Sequence, residues 1–320
     1  MREEFYLDCY TGTIEGDKLY IVSVEFGLLL EYSIHDFSYK ILGKIHLPNP
    51  RTTVRVNTMI KSEEYIYMTI NNNWNVIEYN INNGQTTIYG NDDEYIEGKD
   101  VVIKSTLFQE CLWIFPYSVC QPIRIFNLKT KTFKEGLTIQ DILPVNEYEK
   151  GTDYYMNLDV FQEGNVLRTA VRNSPYIIEI DMETCKYCVY ETKESAKICI
   201  MSYNNGQYWI AYVGSKSFVK WHPENGVVEE YEIRHIQLQN DISYRYIYAD
   251  EDKIIVIPIR DNDIYIIDKK TKEIQSLIYP DDLKRAHNLQ RCMFYGILQQ
   301  KNILLLPFSV NYFFEINISE

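Results

Sequence analysis

Arginine is the residue type in this sequence whose placement most suggests a binding site. The chain has eleven arginines, and seven of them fall in segments that join one strand-like run to the next. A guanidinium group can donate two parallel hydrogen bonds to a carboxylate or a phosphate, so arginines that a fold brings together would form an anion-binding site. These seven are Arg51, Arg55, Arg172, Arg245, Arg260, Arg285 and Arg291.

The same arginines have a second interpretation, in which each one forms a local ion pair. Surface charges are usually solvated or paired with a neighbour. Acidic residues in the same joining segments are Asp261, Asp263, Asp281 and Asp282. The sequence leaves both interpretations open.

Aromatic and amide side chains accompany the arginines in these segments. Rings and amides of this kind are typical of surfaces that bind peptides or sugars. A chain with 28 tyrosines also places some of them there by chance. The residues concerned are Trp74, which lies within the run Asn-Asn-Asn-Trp-Asn, and Tyr117, Tyr154, Tyr155, Asn173 and Tyr312.

Catalysis has one candidate side chain, His287. Histidine exchanges protons near neutral pH, so His287 near Arg291 and Arg260 could act as a general acid or base. Against this, no nucleophile stands at a recognisable spacing from a base, and the sequence has no phosphate-binding glycine loop, HExxH or GxSxG motif. The pair Cys185 and Cys188 lacks the further ligands that zinc needs. We therefore expect no metal and no cofactor.

Composition and charge exclude several classes of partner. The chain of 320 residues has a formal net charge of −13 and a pI near 5.0, whereas nucleic acids and anionic membranes attract a basic surface. The longest apolar clusters are of strand length, far short of a membrane helix. Glutamates stand near the N-terminus, where an export signal carries basic residues. The seven cysteines are odd in number and scattered along the chain, which suits reduced thiols better than a disulfide framework. We expect a cytoplasmic protein with no nucleic-acid or membrane partner.

The joining segments can meet only if repeated elements bring them to one place, and the sequence does contain a repeat. Each unit has a polar turn followed by a short apolar strand, and a later strand ends in a large apolar residue followed by a small polar one, as in Phe126-Asn127 and Ile267-Asp268. Asn and Asp suit such corners because their side chains accept hydrogen bonds from backbone N–H groups two residues on. The first strands are anchored at Leu19, Tyr65, Leu112, Val166, Tyr208, Ile254 and Ile303.

The anchors recur at intervals of 42 to 54 residues. A repeat of this length with four strands predicts an all-β fold, a seven-bladed β-propeller of four-stranded antiparallel blades in a single domain, 1–320. The last unit ends after its third strand, so we expect residues 3–8 to complete it, close the ring and cover a sheet edge. Three apolar strands end in proline, at Pro116, Pro258 and Pro307, because proline cannot donate to a sheet ladder. The predicted blades span approximately 10–46, 55–91, 101–140, 153–193, 196–235, 243–279 and 289–320.

The repeat resembles those of Kelch, YVTN and quinoprotein-type propellers. The likeness rests on a strand, an aromatic-Asp or aromatic-Asn corner and a turn bearing Thr or Gly, as in Asp268-Lys-Lys-Thr271 and Asn80-Ile-Asn-Asn-Gly84. It spans the chain, but the Gly-Gly pair of Kelch blades, the Gly-His and Trp-Asp dipeptides of WD40 blades and a repeated quinoprotein tryptophan motif are missing. The resemblance therefore implies the superfamily and no single family within it.

In a propeller, the loops between second and third strands share one rim with the connections between blades, and ligands commonly bind there. We predict a non-catalytic module that recognises a protein or peptide ligand at this rim. In one form of this prediction the ligand is anionic. A lyase- or hydrolase-type enzyme at the channel mouth and a glycan-binding propeller are the alternatives, and the sequence does not fix the oligomeric state. The predicted ligand-binding residues are Arg51, Arg55, Trp74, Tyr117, Arg172, Arg245, Arg260, Arg291 and Tyr312.

Overall fold

The computed structural model of the chain describes residues 11–23, 26–36, 38–47, 54–90, 101–144, 155–157, 159–193, 196–233, 244–258, 263–278, 298–300, 303–307 and 313–317. In these residues the regular structure is antiparallel β-sheet, apart from one helical turn, α1 (Ile139–Ile142). None of the described residues belongs to a helix that is long and apolar enough to cross a membrane. The all-β prediction is confirmed.

The strands form seven sheets that follow one another along the chain. Sheet one contains β1 (Gly12–Glu15), β2 (Lys18–Val22), β3 (Leu28–Ser33) and β4 (Tyr39–Lys44). Sheet two contains β5 (Val56–Ser62), β6 (Tyr65–Ile70), β7 (Val76–Asn80) and β8 (Thr86–Tyr89). Sheet three contains β9 (Val102–Phe108), β10 (Cys111–Pro116), β11 (Pro122–Asn127) and β12 (Thr132–Thr138).

Sheet four contains β13 (Tyr155–Met156), β14 (Phe161–Glu163), β15 (Val166–Arg172), β16 (Tyr176–Asp181) and β17 (Tyr187–Glu191). Sheet five contains β18 (Ile198–Asn204), β19 (Gln207–Tyr212), β20 (Ser217–His222) and β21 (Gly226–Glu232). Sheet six contains β22 (Tyr244–Ala249), β23 (Lys253–Pro258), β24 (Asp263–Asp268) and β25 (Ile274–Ile278). Sheet seven contains β26 (Leu298–Gln300), β27 (Ile303–Pro307) and β28 (Phe313–Asn317). Residues 3–8, the expected fourth strand of sheet seven, lie outside the described residues.

Every sheet is an antiparallel meander, in which each strand pairs with the next one in the chain; in sheet four, β13 and β14 both pair with β15 and act as its first strand. Meandering places the first and third hairpin turns at one edge of the sheet, which we call the turn edge. The opposite edge, which we call the loop edge, carries the second loop and the connection from the preceding sheet. The loop edge corresponds to the rim where a ligand is expected.

The chain divides into two compact units. The first comprises Met1–Ile114, Phe126–Phe133 and Arg285–Glu320, and the second comprises Phe115–Ile125 and Lys134–Lys284. Sheets one, two and seven belong to the first unit, and sheets four, five and six to the second. The boundary between the units passes within sheet three.

The polar corner residues form the turns between third and fourth strands, as their sequence predicts. The Oδ1 atom of Asp268 accepts hydrogen bonds from the backbone N–H groups of Lys270 (2.9 Å) and Thr271 (2.7 Å), and Asn127, Asn80 and Asp181 bind their turns in the same way. These bonds hold the pKa of the exposed Asp268 carboxyl below its usual range. The turn residue that follows has a left-handed backbone, as in Lys272 with φ of 62°.

Apolar cores lie between consecutive sheets. The second strands are buried on both faces, which explains their continuous apolar sequences, whereas an outer strand such as β4 is largely exposed. In the first unit, cores lie between sheets one and two and between sheets two and three; in the second unit, they lie between sheets four and five and between five and six. Large aromatic members of these cores are Tyr79, Phe126, Trp221 and Trp209.

Polar side chains also join the first strands of consecutive sheets. Asn157, which is fully buried, donates from Nδ2 to the backbone oxygen of Met201 (3.0 Å) and accepts from the Met201 N–H group (3.1 Å). Asn57 donates to the oxygen of Val102 (2.8 Å) between sheets two and three, and Ser202 accepts from the N–H group of Ile247 (3.1 Å) between sheets five and six. These bonds fix neighbouring sheets in register with one another.

Candidate binding site at the loop edge

The structure leaves part of the predicted site untested. Arg51, Arg260, Arg291, Tyr312 and the candidate catalytic residue His287 lie outside the described residues, as does Arg285. The expected meeting of seven arginines at one rim therefore stays a prediction. Arg55, Trp74, Tyr117, Arg172 and Arg245 are described.

Arg55 lies at the loop edge of sheet two, immediately before β5. Its side chain is exposed, and its backbone oxygen accepts a hydrogen bond from the N–H group of Asn71 (3.0 Å). This backbone bond ties the connection into sheet two to the loop between β6 and β7. The backbone of Arg55 is therefore fixed at the loop edge of sheet two.

Trp74 lies in the core and differs in this from the expected surface aromatic residue. Its side chain is only 4% exposed and packs with Val76, Val101 and Leu112 between sheets two and three. The loop closes over it because the oxygen of Asn71 accepts a hydrogen bond from the N–H group of Val102 (3.0 Å), at the start of β9. The ring therefore offers no exposed face on which a sugar could stack.

Arg245 forms an ion pair with Asp159. Its Nη1 atom lies 2.9 Å from Oδ2 of Asp159, and the two side chains are 16% and 11% exposed. Arg245 lies in the first strand of sheet six, whereas Asp159 lies between β13 and β14 of sheet four, so the pair spans sheet five at the inner strands. The ion pair therefore joins Arg245 to an acid that the sequence does not single out.

Tyr117, Tyr155 and Arg172 come together at the loop edges of sheets three and four, and we call them the Tyr117–Arg172 cluster. The rings of Tyr117 and Tyr155 are in contact, with centroids 4.6 Å apart. Tyr155 is the cross-strand partner of Arg172, so both side chains lie on the same face of the sheet. All three residues are partly exposed and belong to the second unit.

Local backbone structure positions each member of the cluster. β10 ends at Pro116, which has no N–H group to extend the ladder, and the oxygen of Tyr117 accepts a hydrogen bond from Met156 (3.0 Å). Arg172 ends β15, and Asn173 turns the chain with φ of 62°. The N–H group of Asn173 donates to the oxygen of Ile198 (2.9 Å), which anchors this loop to sheet five.

Arg172 is the residue of the cluster that can bind a carboxylate. Its Nε atom is buried and has no hydrogen-bond partner among the described residues. A buried donor without an acceptor is costly, so an oxygen atom of a ligand would relieve the cost. A carboxylate that accepted hydrogen bonds from Arg172 would lie beside two tyrosine rings, on which an attached apolar group could pack.

The residues that support this region were not found from the sequence. Asn157 and Asp159 lie in the segment 155–161, whose sequence contains no motif, and their roles depend on bonds to sheets five and six. The burial of the nearby Tyr246 hydroxyl raises its pKa, and the charge of Asp159 raises it further. Among the described residues, no three His, Cys, Asp or Glu side chains are grouped as a metal site requires.

Comparison with known proteins shows the fold. No protein-family model and no curated protein matches the sequence. Among solved structures, a streptogramin B lyase is 18% identical with a TM-score of 0.63, over 96% of this chain and 94% of that one. A catalytically inactive virginiamycin B lyase from Staphylococcus aureus with quinupristin is 13% identical with a TM-score of 0.65, over 98% and 97%. BamB from Moraxella catarrhalis is 12% identical with a TM-score of 0.56, over 91% and 78%.

The two lyase structures are seven-bladed β-propellers, and the likeness to them extends over nearly the whole of this chain. The chain therefore has the β-propeller fold, and the predicted fold class is confirmed. At these identities the likeness concerns the fold alone, because one fold supports many unrelated functions.

Proposed function

We propose that this chain is a cytoplasmic, non-catalytic binding module that recognises a protein or peptide segment bearing a carboxylate. The observation that carries the proposal is the Tyr117–Arg172 cluster, in which a guanidinium whose buried Nε has no partner among the described residues lies beside two tyrosine rings in contact. Tyrosine and arginine dominate the binding energy at many protein interfaces. The cytoplasmic location is supported by Cys111, Cys120, Cys185, Cys188 and Cys199, which are free thiols.

The cluster is suited to binding because its backbone is already fixed. Tyr155 is held by the ladder to β15, and the loop after Arg172 is bonded to sheet five. A preformed site loses little conformational freedom on binding, which favours affinity. An acidic side chain or a C-terminal carboxylate would bind Arg172, and the neighbouring residue of the peptide would pack on the tyrosine rings.

Selection from a random peptide display library, followed by calorimetry with the selected peptides, tests this function. We expect selected sequences to contain Asp, Glu or a free C-terminus, and Arg172→Met and Tyr117→Ala each to weaken binding by about tenfold or more, equivalent to about 1.4 kcal/mol. Arg55→Met is the matched control, because Arg55 is an exposed loop-edge arginine of another sheet.

Two outcomes would remove the proposal. One is a selected peptide whose affinity is the same for the wild type and for Arg172→Met. The other is an equal loss of affinity in Arg172→Met and Arg55→Met, since that result would assign binding to a general positive potential rather than to the cluster.

A lyase is the second candidate, favoured by the likeness in fold to a streptogramin B lyase and to virginiamycin B lyase. His287 is its candidate general acid or base. Incubation of the wild type with quinupristin, followed by mass spectrometry, tests this candidate. Turnover that His287→Ala abolishes would favour the lyase over the binding module.

A further inference from the structure

A cleft with a volume of about 420 Å³ opens between sheets five and six, at their turn edges. Sites for small molecules have volumes of roughly 300–1,000 Å³, so the cleft can hold a compact metabolite. It is lined by turn residues of both sheets, among them Gln207, Asp250 and Glu251, and by Trp209, Lys220 and Lys269. The loop-edge cluster contributes none of these residues, so the cleft is independent of the proposed function.

Two lysines from different sheets line this one cleft. Lys220 is the cross-strand partner of Trp209, so its side chain lies on the face of sheet five that packs against sheet six. Lys269 directly follows β24 of sheet six, and its Nζ atom lies 5.4 Å from the centroid of the Trp209 ring. Two positive charges therefore face a common space.

The described acidic residues do not fully neutralise either lysine. Lys269 donates from Nζ to the backbone oxygen of Asp250, and among the described residues it forms no ion pair. Lys220 has one long ion pair, 3.7 Å from Glu229, and that carboxylate also binds Lys272 at 3.0 Å. Burial lowers the pKa of Lys269, and the charge of Lys220 lowers it further, which indicates that the two ammonium groups repel one another.

Trp209 adds a buried hydrogen-bond donor to the wall of the cleft. The residue is fully buried, and within the described part of the chain its Nε1 atom has no hydrogen-bond partner. Most buried N–H groups in folded proteins are hydrogen-bonded. An oxygen atom of a ligand in the cleft could accept this hydrogen bond.

The acidic residues of the cleft suit the hydroxyl groups of a ligand rather than its charge. Oδ1 of Asp250 accepts hydrogen bonds from the backbone N–H groups of Asp252 (2.8 Å) and Lys253 (2.6 Å), so this oxygen is committed to the turn. Glu251 is exposed, and Gln207 is partly exposed and lines the cleft. Carboxylate and amide groups accept hydrogen bonds from hydroxyls.

We propose that this cleft binds a small phosphate monoester with a hydroxylated body, such as a sugar phosphate, with the phosphate between Lys220 and Lys269. A phosphate monoester carries about −1.5 to −2 charges at neutral pH, which balances two ammonium groups, whereas a monocarboxylate balances one. Lysine binds phosphate as a point charge, with no demand for planar geometry. The polar residues of the turns then contact the hydroxyl groups.

Calorimetry with glucose 6-phosphate tests the site, with glucose, inorganic phosphate and succinate as comparison ligands. We expect glucose 6-phosphate to bind the wild type, glucose and succinate to bind much more weakly, and Lys220→Met and Lys269→Met each to lower the affinity by about tenfold or more. Lys270→Met is the matched control, because this exposed lysine is the next residue and does not line the cleft. Binding should weaken as the salt concentration rises.

Three results would overturn the proposal: no binding of glucose 6-phosphate or phosphate at about 10 mM, succinate binding more tightly than either, or equal losses in Lys269→Met and Lys270→Met. A measurement on the wild-type protein tests the proposal even if the lysine variants fold poorly. The NMR signal of the Trp209 indole N–H, assigned with Trp209→Phe, should shift on addition of glucose 6-phosphate, and that of Trp221, which packs between sheets four and five, should not. An unmoved Trp209 signal would also overturn the proposal.

Discussion

Lys131 and Lys272 are equivalent residues of two repeats. Each is the fifth residue of a turn between third and fourth strands, with a left-handed backbone of φ 58° and 62°. Each donates from Nζ to a tyrosine hydroxyl and pairs with a carboxylate on the preceding sheet. Lys131 binds Tyr67 (2.9 Å) and Glu78, whereas Lys272 binds Tyr231 (2.8 Å) and Glu229 (3.0 Å).

The two lysines should differ in their contribution to stability, because their surroundings differ in burial. The side chain of Glu78 is 11% exposed and that of Glu229 is 38% exposed. Lys131→Met leaves Glu78 without its cation and should lower the free energy of unfolding by about 1–3 kcal/mol. Lys272→Met removes a more exposed pair and should cost less than about 1 kcal/mol. Urea denaturation measures both, and equal losses would contradict this assignment.

The repeated turns explain why the fold was predictable from the sequence. A corner residue such as Asn127 or Asp268 binds the backbone two and three residues further on, so its effect is local and visible in a short stretch of sequence. The prolines act locally as well, since β10, β23 and β27 end at Pro116, Pro258 and Pro307. Seven repetitions of such signals indicated the architecture.

The side-chain partners of the candidate site depend on contacts between distant residues, which the sequence does not reveal. Arg245 and Asp159 are 86 residues apart. Trp74 stands in a run of asparagines typical of an exposed loop, yet bonds from Asn71 to the start of sheet three bury it. In contrast, Tyr117 and Arg172 lie near the ends of the second strands of their sheets, so the predicted register does place them at the loop edge.

Substitution of Arg245 should lower stability, whereas substitution of Arg172 should weaken peptide binding. Arg245→Met leaves the carboxylate of Asp159, at 11% exposure, without its partner and should lower the free energy of unfolding by about 3 kcal/mol. The double variant Arg245→Met with Asp159→Leu should recover much of this loss, because it also removes the uncompensated charge. Arg172→Met should change stability little and weaken peptide binding. Denaturation and calorimetry on the same preparations separate the two effects, and a stable Arg245→Met variant would contradict the structural role.

Alkaline pH should destabilise the protein through its tyrosines. Burial and nearby carboxylates raise the pKa of Tyr20 and Tyr203 to about 12, and burial with the charge of Glu179 raises that of Tyr208 further. An unfolded tyrosine ionises near pH 10. The fold favours the neutral phenols, so their contribution to stability is complete below about pH 10 and is lost as the pH rises through about 12.

Tyrosinate absorbance during a pH titration, compared with the urea-unfolded chain and with circular dichroism, measures this effect. We expect part of the tyrosine absorbance to appear late and together with the loss of β-sheet signal. Complete ionisation near pH 10 with the sheet signal intact would contradict the burial of these hydroxyl groups.

Asn157 should be among the most sensitive residues of the second unit, although no motif marks it. It is fully buried, and its amide bonds to both backbone groups of Met201 and to the oxygen of Asp159 (2.8 Å). Asn157→Ala would leave these groups without partners, and each buried unsatisfied group costs about 1–3 kcal/mol. Asn165→Ala is the control, since Asn165 is partly exposed and its side chain donates one hydrogen bond, to Oδ2 of Asp181 (3.1 Å).

We therefore expect Asn157→Ala to lower the free energy of unfolding by several times the loss in Asn165→Ala, which should be about 1 kcal/mol or less. Because Asn157 also fixes the backbone of Asp159, its loss should loosen the ion pair with Arg245. Hydrogen exchange of the Met201 amide in Asn157→Ala measures the loss of the bond between sheets four and five, since the acceptor of this amide in the wild type is Oδ1 of Asn157. Unchanged protection of that amide would show that water replaces the asparagine without loss, and that the sheets are held together by their apolar cores alone.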